Sequence, residues 1–467
     1  MVLLRIGRNE CPGVGELYEW SLGDDGIMVD EALYDSVGRA RQRLLEESHK
    51  RTVYGFHTRL GKLFDTSRLS SRKYEEKVLH EHAVGVGDYM PPTIGRLFAA
   101  IRIVQATRGY TPVTPSTLSR IVDALNCGLA PAIPARGSVG ASGDLAPASH
   151  AMEELFLGRG KVWRDGSLVD AAKALSDCGL APRRLERGEA LLLINTTAYS
   201  TALLVFSIGL LRELLDEVYA NTARIGRVLG WNCEHFSTSI SEAKKHPGIR
   251  KVISVLGGRC SGSPRRLQDP YSIRCTPNLL GSVVDTLDYA ERIAHWEICS
   301  PSSNPIVTRE GVVHQCGFHA VYPSLAMDYL AIASTLVSNM IEERSSRILD
   351  DAYTGLPRFL AGSKSSVGGM IIHYTIASLA AELRALASPR SVHNIPTSLG
   401  HEDIVSMAPN SGLRLIEMLK LLIDQVYLER ALAVIAEEAS SGREINVEEA
   451  YEEALRESRD FKVRRGF

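Results

Sequence analysis

Residues 190–211 run for about 22 positions without a charged side chain, long enough to cross a membrane. Such a segment belongs either in lipid or in the middle of a large core, and no other feature limits the fold so strongly. Asn195, Thr196, Thr197, Tyr199, Ser200, Thr201 and Ser207 all lie within it, and hydrocarbon would leave that many polar groups unsatisfied. The expectation is a helix buried in a protein interior, with no membrane association. A chain of 467 residues, 45% hydrophobic and 23% charged, can supply that interior. Lysine plus arginine number 53 against 55 aspartate plus glutamate, a net charge of −2. Nothing in that balance provides the electrostatic footprint of a nucleic-acid or anionic-membrane binder.

Helical periodicity runs through the rest of the chain. Leu280, Val283, Val284, Leu287, Ala290, Ala294 and Ile298 recur at spacings of three and four, and Leu415, Leu419, Leu422, Val426 and Leu432 do much the same. Both stretches predict long bundle helices. Asn446, followed three residues later by Glu449, predicts a helix start of the capping-box type and a last short helix over 447–458. Alternating strands are few, 2–6 being the clearest, and nothing repeats at the periods of solenoids or propellers. The expected fold is therefore mainly α. Irregular stretches at 54–61, 131–147, 264–277, 301–318 and 388–409 are where a rigid scaffold would carry chemistry. No low-complexity linker separates them, so a boundary near residue 190, dividing 1–190 from 191–467, is one of role within a continuous core. The eight cysteines, Cys11, Cys127, Cys178, Cys233, Cys260, Cys275, Cys299 and Cys316, include no CxxC pair and are expected as reduced thiols. The opening residues are too quickly interrupted by charge to form a secretory apolar stretch, which points to the cytoplasm.

The densest chemical signal is the run Arg136-Gly-Ser-Val-Gly-Ala-Ser-Gly-Asp-Leu-Ala-Pro147. It satisfies neither phosphate-loop pattern. A serine nucleophile elbow fails too, because Asp144 stands where the second glycine would be needed. A glycine-rich turn capping the next helix accounts for the glycines alone. The tripeptide Ala141-Ser142-Gly143 offers something sharper. In a tight enough bend the Gly143 amide nitrogen can attack the Ala141 carbonyl carbon, and glycine lacks the Cβ that would obstruct the approach. Loss of water from the ring and from the Ser142 side chain then leaves a methylidene-imidazolone, an electrophile made by the chain itself. A bare Ala-Ser-Gly is common; the surrounding run is what makes this one specific.

That run resembles the signature of the aromatic amino acid ammonia-lyases and aminomutases. The resemblance continues in order through Tyr54-Gly55, His82-Ala-Val-Gly-Val-Gly87, Asn195, Gln268-Asp-Pro-Tyr-Ser-Ile-Arg-Cys275, Asn304-Pro305, Phe318-His-Ala320, Pro396-Thr-Ser398 and Glu402-Asp-Ile-Val-Ser-Met-Ala-Pro409. It implies a long-helix bundle of the ammonia-lyase type, an electrophile formed from Ala141, Ser142 and Gly143 without metal or external cofactor, a small amino acid as substrate, and a homotetramer whose sites are shared between subunits. It also implies roles. Tyr54 would take the β-proton, with Tyr271 a further catalytic group. Arg274 would clamp the substrate carboxylate, as a planar guanidinium can. Gln268 would line the site, Asn195 would hydrogen-bond the electrophile and Phe318 would pack on it. His82, Glu402 and Met370 would meet the amine or side chain. Ala83 after His82 tilts the resemblance toward the histidine-specific branch of the family, which implies elimination of ammonia from L-histidine to give trans-urocanate.

Several positions depart from the family's pattern: His57, Arg59 and Leu60 in the loop after Tyr54, Glu81, Thr196, Ala198, Ser303, Gly317 and His401. They surround the implied site while the electrophile run is intact. A lyase or 2,3-aminomutase for another aromatic amino acid therefore stays open, as does an inactive homologue that keeps the scaffold. The histidines at 80, 82, 314 and 319 suggest metal, but they lack a third ligand at typical spacing and no HExxH occurs, so none is expected.

Overall fold

The computed structural model describes residues 3–8, 11–67 and 72–467. The periodic stretches form its longest helices: Thr276–Cys299, with Val283, Leu287, Ala290, Ala294 and Ile298 buried, and the 33-residue Ala408–Ser440. Together with Ala198–Leu229 and Val321–Ile348 they pack into a central bundle. Strands are confined to short ribbons of two or three. Leu4–Ile6 pairs in parallel with Ile27–Val29; Val2, expected to begin that strand, lies outside the described residues.

Every residue of 190–211 is buried, as a core segment should be. It is not one helix, however. Glu189–Ile194 ends at Asn195, whose ψ of 84° leaves the helical region, and a new helix starts at Ala198. The Thr196 hydroxyl accepts the Ala198 N–H at 3.1 Å, a local side-chain bond that competes with helix continuation. Polar side chains thus break the segment at one point, and that point holds the site described below.

At the C-terminus the Asn446 side chain accepts the Glu449 N–H at 3.1 Å and starts helix Val447–Val463. A second bond, side chain to side chain, runs from the Asn446 amide to the Glu449 carboxylate at 2.9 Å in place of the capping-box bond to the Asn446 backbone, and the helix continues past Ser458. Deep in the bundle Arg344 and Glu429, both fully buried, pair at 2.9 Å, and Asn221 donates to the same carboxylate.

The expectation of reduced thiols is corrected. Six cysteines pair as Cys11–Cys299, Cys127–Cys178 and Cys233–Cys260, leaving Cys275 and Cys316 free. The first pair closes a separation of 288 residues; only the packing of distant elements could reveal it. Cysteine usage therefore no longer argues for a reducing compartment. His295 lies 3.7 Å from the Cys299 sulfur, completing a Cys11, His295, Cys299 group two of whose donors are bonded to each other.

Candidate active site

Strand Pro134–Arg136 delivers the glycine run to helix Leu145–Met152. The run turns sharply, with φ of +66° at Gly140 and +77° at Gly143. At Gly143 a Cβ would lie 2.4 Å from the Thr196 carbonyl oxygen and 3.1 Å from that of Phe318, so only glycine fits. The broken helix holds this turn from one side. Asn195, 4% exposed, donates from Nδ2 to the Ser142 carbonyl at 2.8 Å and is itself oriented by the Asn304 N–H at 2.8 Å. The Thr196 carbonyl accepts the Asp144 N–H at 2.8 Å. From the other side Ser406 donates to the Gly140 carbonyl at 3.0 Å and the Met407 N–H to that of Val139 at 2.9 Å.

The Ser142 hydroxyl donates to Glu402, whose second oxygen accepts from Thr397 at 2.5 Å. Tyr54 is half-buried; its hydroxyl accepts the Gly61 N–H at 2.8 Å and its own N–H donates to His314 at 3.1 Å. Burial raises the Tyr54 pKa above the ordinary tyrosine value, with Glu402 and Tyr74 adding to the rise and the Gly61 bond opposing it. His82 ends helix Arg72–His82 with Nδ1 2.7 Å from the Val78 carbonyl. A carbonyl only accepts, so Nδ1 carries the hydrogen, and Nε2 of the neutral ring is left as an acceptor. Four residues on, strand Val86–Tyr89 pairs with the strand that feeds the glycine run. His401, one of the departing positions, packs on Phe64 with ring centroids 5.4 Å apart, and Ser398 of the matching Pro396-Thr-Ser398 motif accepts the Lys62 N–H at 3.2 Å. The 398–402 turn is thereby tied to the loop that carries Tyr54.

Asp144 and Glu297 were not singled out as groups of their own. Asp144 accepts the Ser200 N–H at 2.8 Å and its hydroxyl at 2.7 Å, and burial pushes its carboxyl up to about 6. Glu297 accepts the Thr197 hydroxyl at 2.8 Å, and burial pushes it up to about 7. The only signal for Asp144 was its place inside the run; Glu297 had none.

The structure does not bring all the expected residues together. Arg274 contacts Gln268 and lies beside the Tyr271 ring, while Tyr271 is 71% exposed. This segment is fastened to the far end of Ala198–Leu229: the Arg265 N–H donates to the Gly230 carbonyl at 2.9 Å and Asn232 Nδ2 to that of Leu267 at 3.0 Å. Met370 is at that end too, next to Gly369, whose N–H donates to the Phe359 carbonyl beside Leu349. A helix of 32 residues is about 48 Å long. Within one chain, then, Tyr54, His82, Ser142, Asn195, Phe318 and Glu402 gather at one end of the bundle. Gln268, Tyr271, Arg274 and Met370 gather at the other.

Residues 14–459 match the family model described as aromatic amino acid lyase. The probable histidine ammonia-lyase of Thermoplasma acidophilum is 33% identical over 417 residues, covering 87% of this chain and 84% of that one. The histidine ammonia-lyase of Paracidovorax citrulli is 34% identical over 406 residues, 84% of this chain and 77% of its own. Among solved structures, phenylalanine aminomutase of Pantoea agglomerans superimposes with a TM-score of 0.89 at 26% identity, over 96% of this chain and 94% of that one. Histidine ammonia-lyase of Trypanosoma cruzi gives 0.86 at 25%, over 97% and 88%. A long-helix bundle with this similarity defines an enzyme, a carbon–nitrogen lyase of the ammonia-lyase type. The chain belongs to the aromatic amino acid lyase family.

Proposed function

We propose that this protein eliminates ammonia from L-histidine to give trans-urocanate, with an electrophile cyclised from Ala141-Ser142-Gly143. The observation that carries the reading is the grip on the tripeptide: Asn195 on the Ser142 carbonyl, Thr196 closed against Gly143, and Glu402 on the Ser142 hydroxyl. These residues fit the cyclised group, because the left-handed bend at Gly143 admits no side chain. When formed, the group supplies an electrophile that captures the substrate's amine or ring and so eases loss of the amine. The chain's own residues do the rest. Tyr54 takes the proton from Cβ; the electron pair of that bond becomes the new double bond, and the Cα–N bond breaks to release ammonia. His82 Nε2, as an acceptor, and the Glu402 carboxylate are the groups on hand for the substrate's amine or imidazole. Histidine ammonia-lyases among the sequence relatives support histidine as the substrate.

Arg274 can clamp the carboxylate only if it reaches the site from another copy, since in its own chain the length of the bundle intervenes. We therefore propose a homotetramer with shared sites. Exposed Tyr329, Ile332 and Leu336, with half-buried Tyr289 beside them, give such copies an apolar face on the long helices. In this reading residues 1–190 carry the electrophile, 191–467 the bundle that presents it, and the enzyme works in the cytoplasm.

The test is a peptide map across 137–147 followed by ammonia release from histidine. Loss of two waters there and urocanate formation are expected, and Ser142→Ala should abolish both. An unmodified wild-type peptide would put the inactive-scaffold reading first. The phenylalanine aminomutase neighbour favours one second reading, a 2,3-aminomutase; chiral analysis for a β-amino acid product separates it from the lyase.

A further inference from the structure

Behind Asn195 lies a polar network that the proposed reaction does not use. Arg102, 1% exposed, sends one guanidinium nitrogen to Gln105 Oε1 at 2.7 Å and to the Thr196 hydroxyl at 3.3 Å, and the other to the Leu192 carbonyl at 2.8 Å. Gln105 Oε1 also accepts from the hydroxyls of Thr196 at 3.1 Å and Ser302 at 2.8 Å, and these two hydroxyls lie 3.0 Å apart. Among the described residues no carboxylate hydrogen-bonds or ion-pairs with Arg102, and its Nε has no partner. A buried cation without a counter-charge is costly to keep. Yet its contacts converge on the few residues around the helix break, and Thr196 is one of the chain's departures from the family pattern.

We propose that Arg102, Gln105, Thr196 and Ser302 are positioning residues for electrophile formation, holding the 195–197 break so that it presses Ala141-Ser142-Gly143 into its reactive bend. The inference rests on the cyclisation proposed above and adds residues to it. The path is short and continuous. Arg102 fixes the Leu192 carbonyl before the break and the Thr196 hydroxyl within it. Ser302 sits two residues before Asn304, whose N–H orients Asn195. Thr196 then meets the tripeptide by backbone, accepting the Asp144 N–H and closing on Gly143. None of the four side chains touches the reacting atoms. They set the distance the Gly143 nitrogen must cover to reach the Ala141 carbonyl carbon, and a small misplacement costs rate steeply.

The experiment follows the two-water loss of the 137–147 peptide against time after synthesis, in wild type, Arg102→Met, Thr196→Val and Thr196→Ser, with Tm measured in parallel. Thr196→Val keeps the shape but loses the hydroxyl, and Thr196→Ser restores it. The expected result is cyclisation slowed by about tenfold in Thr196→Val, the size of losing one or two hydrogen bonds, with Thr196→Ser near wild type. Arg102→Met should be slower still. If Arg102→Met does not fold, the threonine pair decides. Variants that cyclise at the wild-type rate would overturn this inference alone. So would a Thr196→Ser variant as slow as Thr196→Val, which would mean that the hydroxyl plays no part. A wild-type chain that never loses the waters overturns the proposed function, and this inference with it.

Discussion

Tyr54 shows how a single side chain sets a pH dependence. As the base proposed above it would act only as the phenolate, and burial first, then Glu402 and Tyr74, hold its pKa above the ordinary tyrosine value against the opposing Gly61 bond. The active fraction therefore grows with pH, and kcat/KM should still be climbing in the alkaline range. Tyr54→Phe should lose about 100-fold or more and flatten that rise, the range typical of a lost general base. Rates from about pH 7 to 10 check it. Glu297 gives a stability prediction of its own. Its carboxyl is raised from 4.5 to about 7, so the folded chain keeps a proton that the unfolded chain sheds in that window. Folding stability contributed by this group is present at low pH and falls as pH rises toward 7. Glu297→Gln, still able to accept from Thr197, should raise Tm near pH 8 and leave it almost unchanged near pH 4. Ser142 and Glu402 were legible in the sequence because each sits inside a motif, and Asn195 only through the family resemblance. The Asp144–Ser200 and Arg102–Thr196 contacts were not, because their partners come from separate elements with no spacing to mark them.

Among the elements, the long helices were legible and their interruptions were not. Leu280 to Ile298 and Leu415 to Leu432 repeat with the helical period because one face must meet the core. The break at Asn195 lies in a stretch apolar enough to continue as helix; only its clustered threonines mark it. The bundle also contains a pair that periodicity cannot show. Arg344, on Val321–Ile348, and Glu429, on Ala408–Ser440, are both fully buried and bonded through two nitrogens at 2.9 Å. Burial raises the Glu429 carboxyl even though Arg344 pulls it down. Arg344→Met would strand that carboxylate, at a cost of about 3–5 kcal/mol. The double variant Arg344→Met with Glu429→Leu should recover most of the loss, because apolar side chains can fill the space without a charge to desolvate. Urea unfolding of the three proteins measures this; a double variant no better than the single one would show that Glu429 is not what the single change exposes.

Whole-molecule organisation follows from where one long helix puts its ends. Ser142, Asn195 and Glu402 gather near the start of Ala198–Leu229, and Gln268, Tyr271 and Arg274 are fastened near its finish. No local motion shortens a 32-residue helix, so the shared site proposed above would draw these groups from at least two copies of the chain. The sequence carried both halves of the proposed site as motifs in plain order; it could not say that they lie at opposite ends of the bundle, because motif order says nothing of position along it. Ser142→Ala and Arg274→Met should each be inactive when assembled alone, the first for want of the electrophile and the second for want of the carboxylate clamp. Co-expressed, they form mixed assemblies in which an intact Ser142 from one chain meets an intact Arg274 from another. With equal amounts and random assembly, about a quarter of the sites draw an intact Ser142 from one variant and an intact Arg274 from the other, so about a quarter of wild-type activity should return. If each chain instead built its own site, every site would carry one defect or the other, and the mixture would be as inactive as its parents.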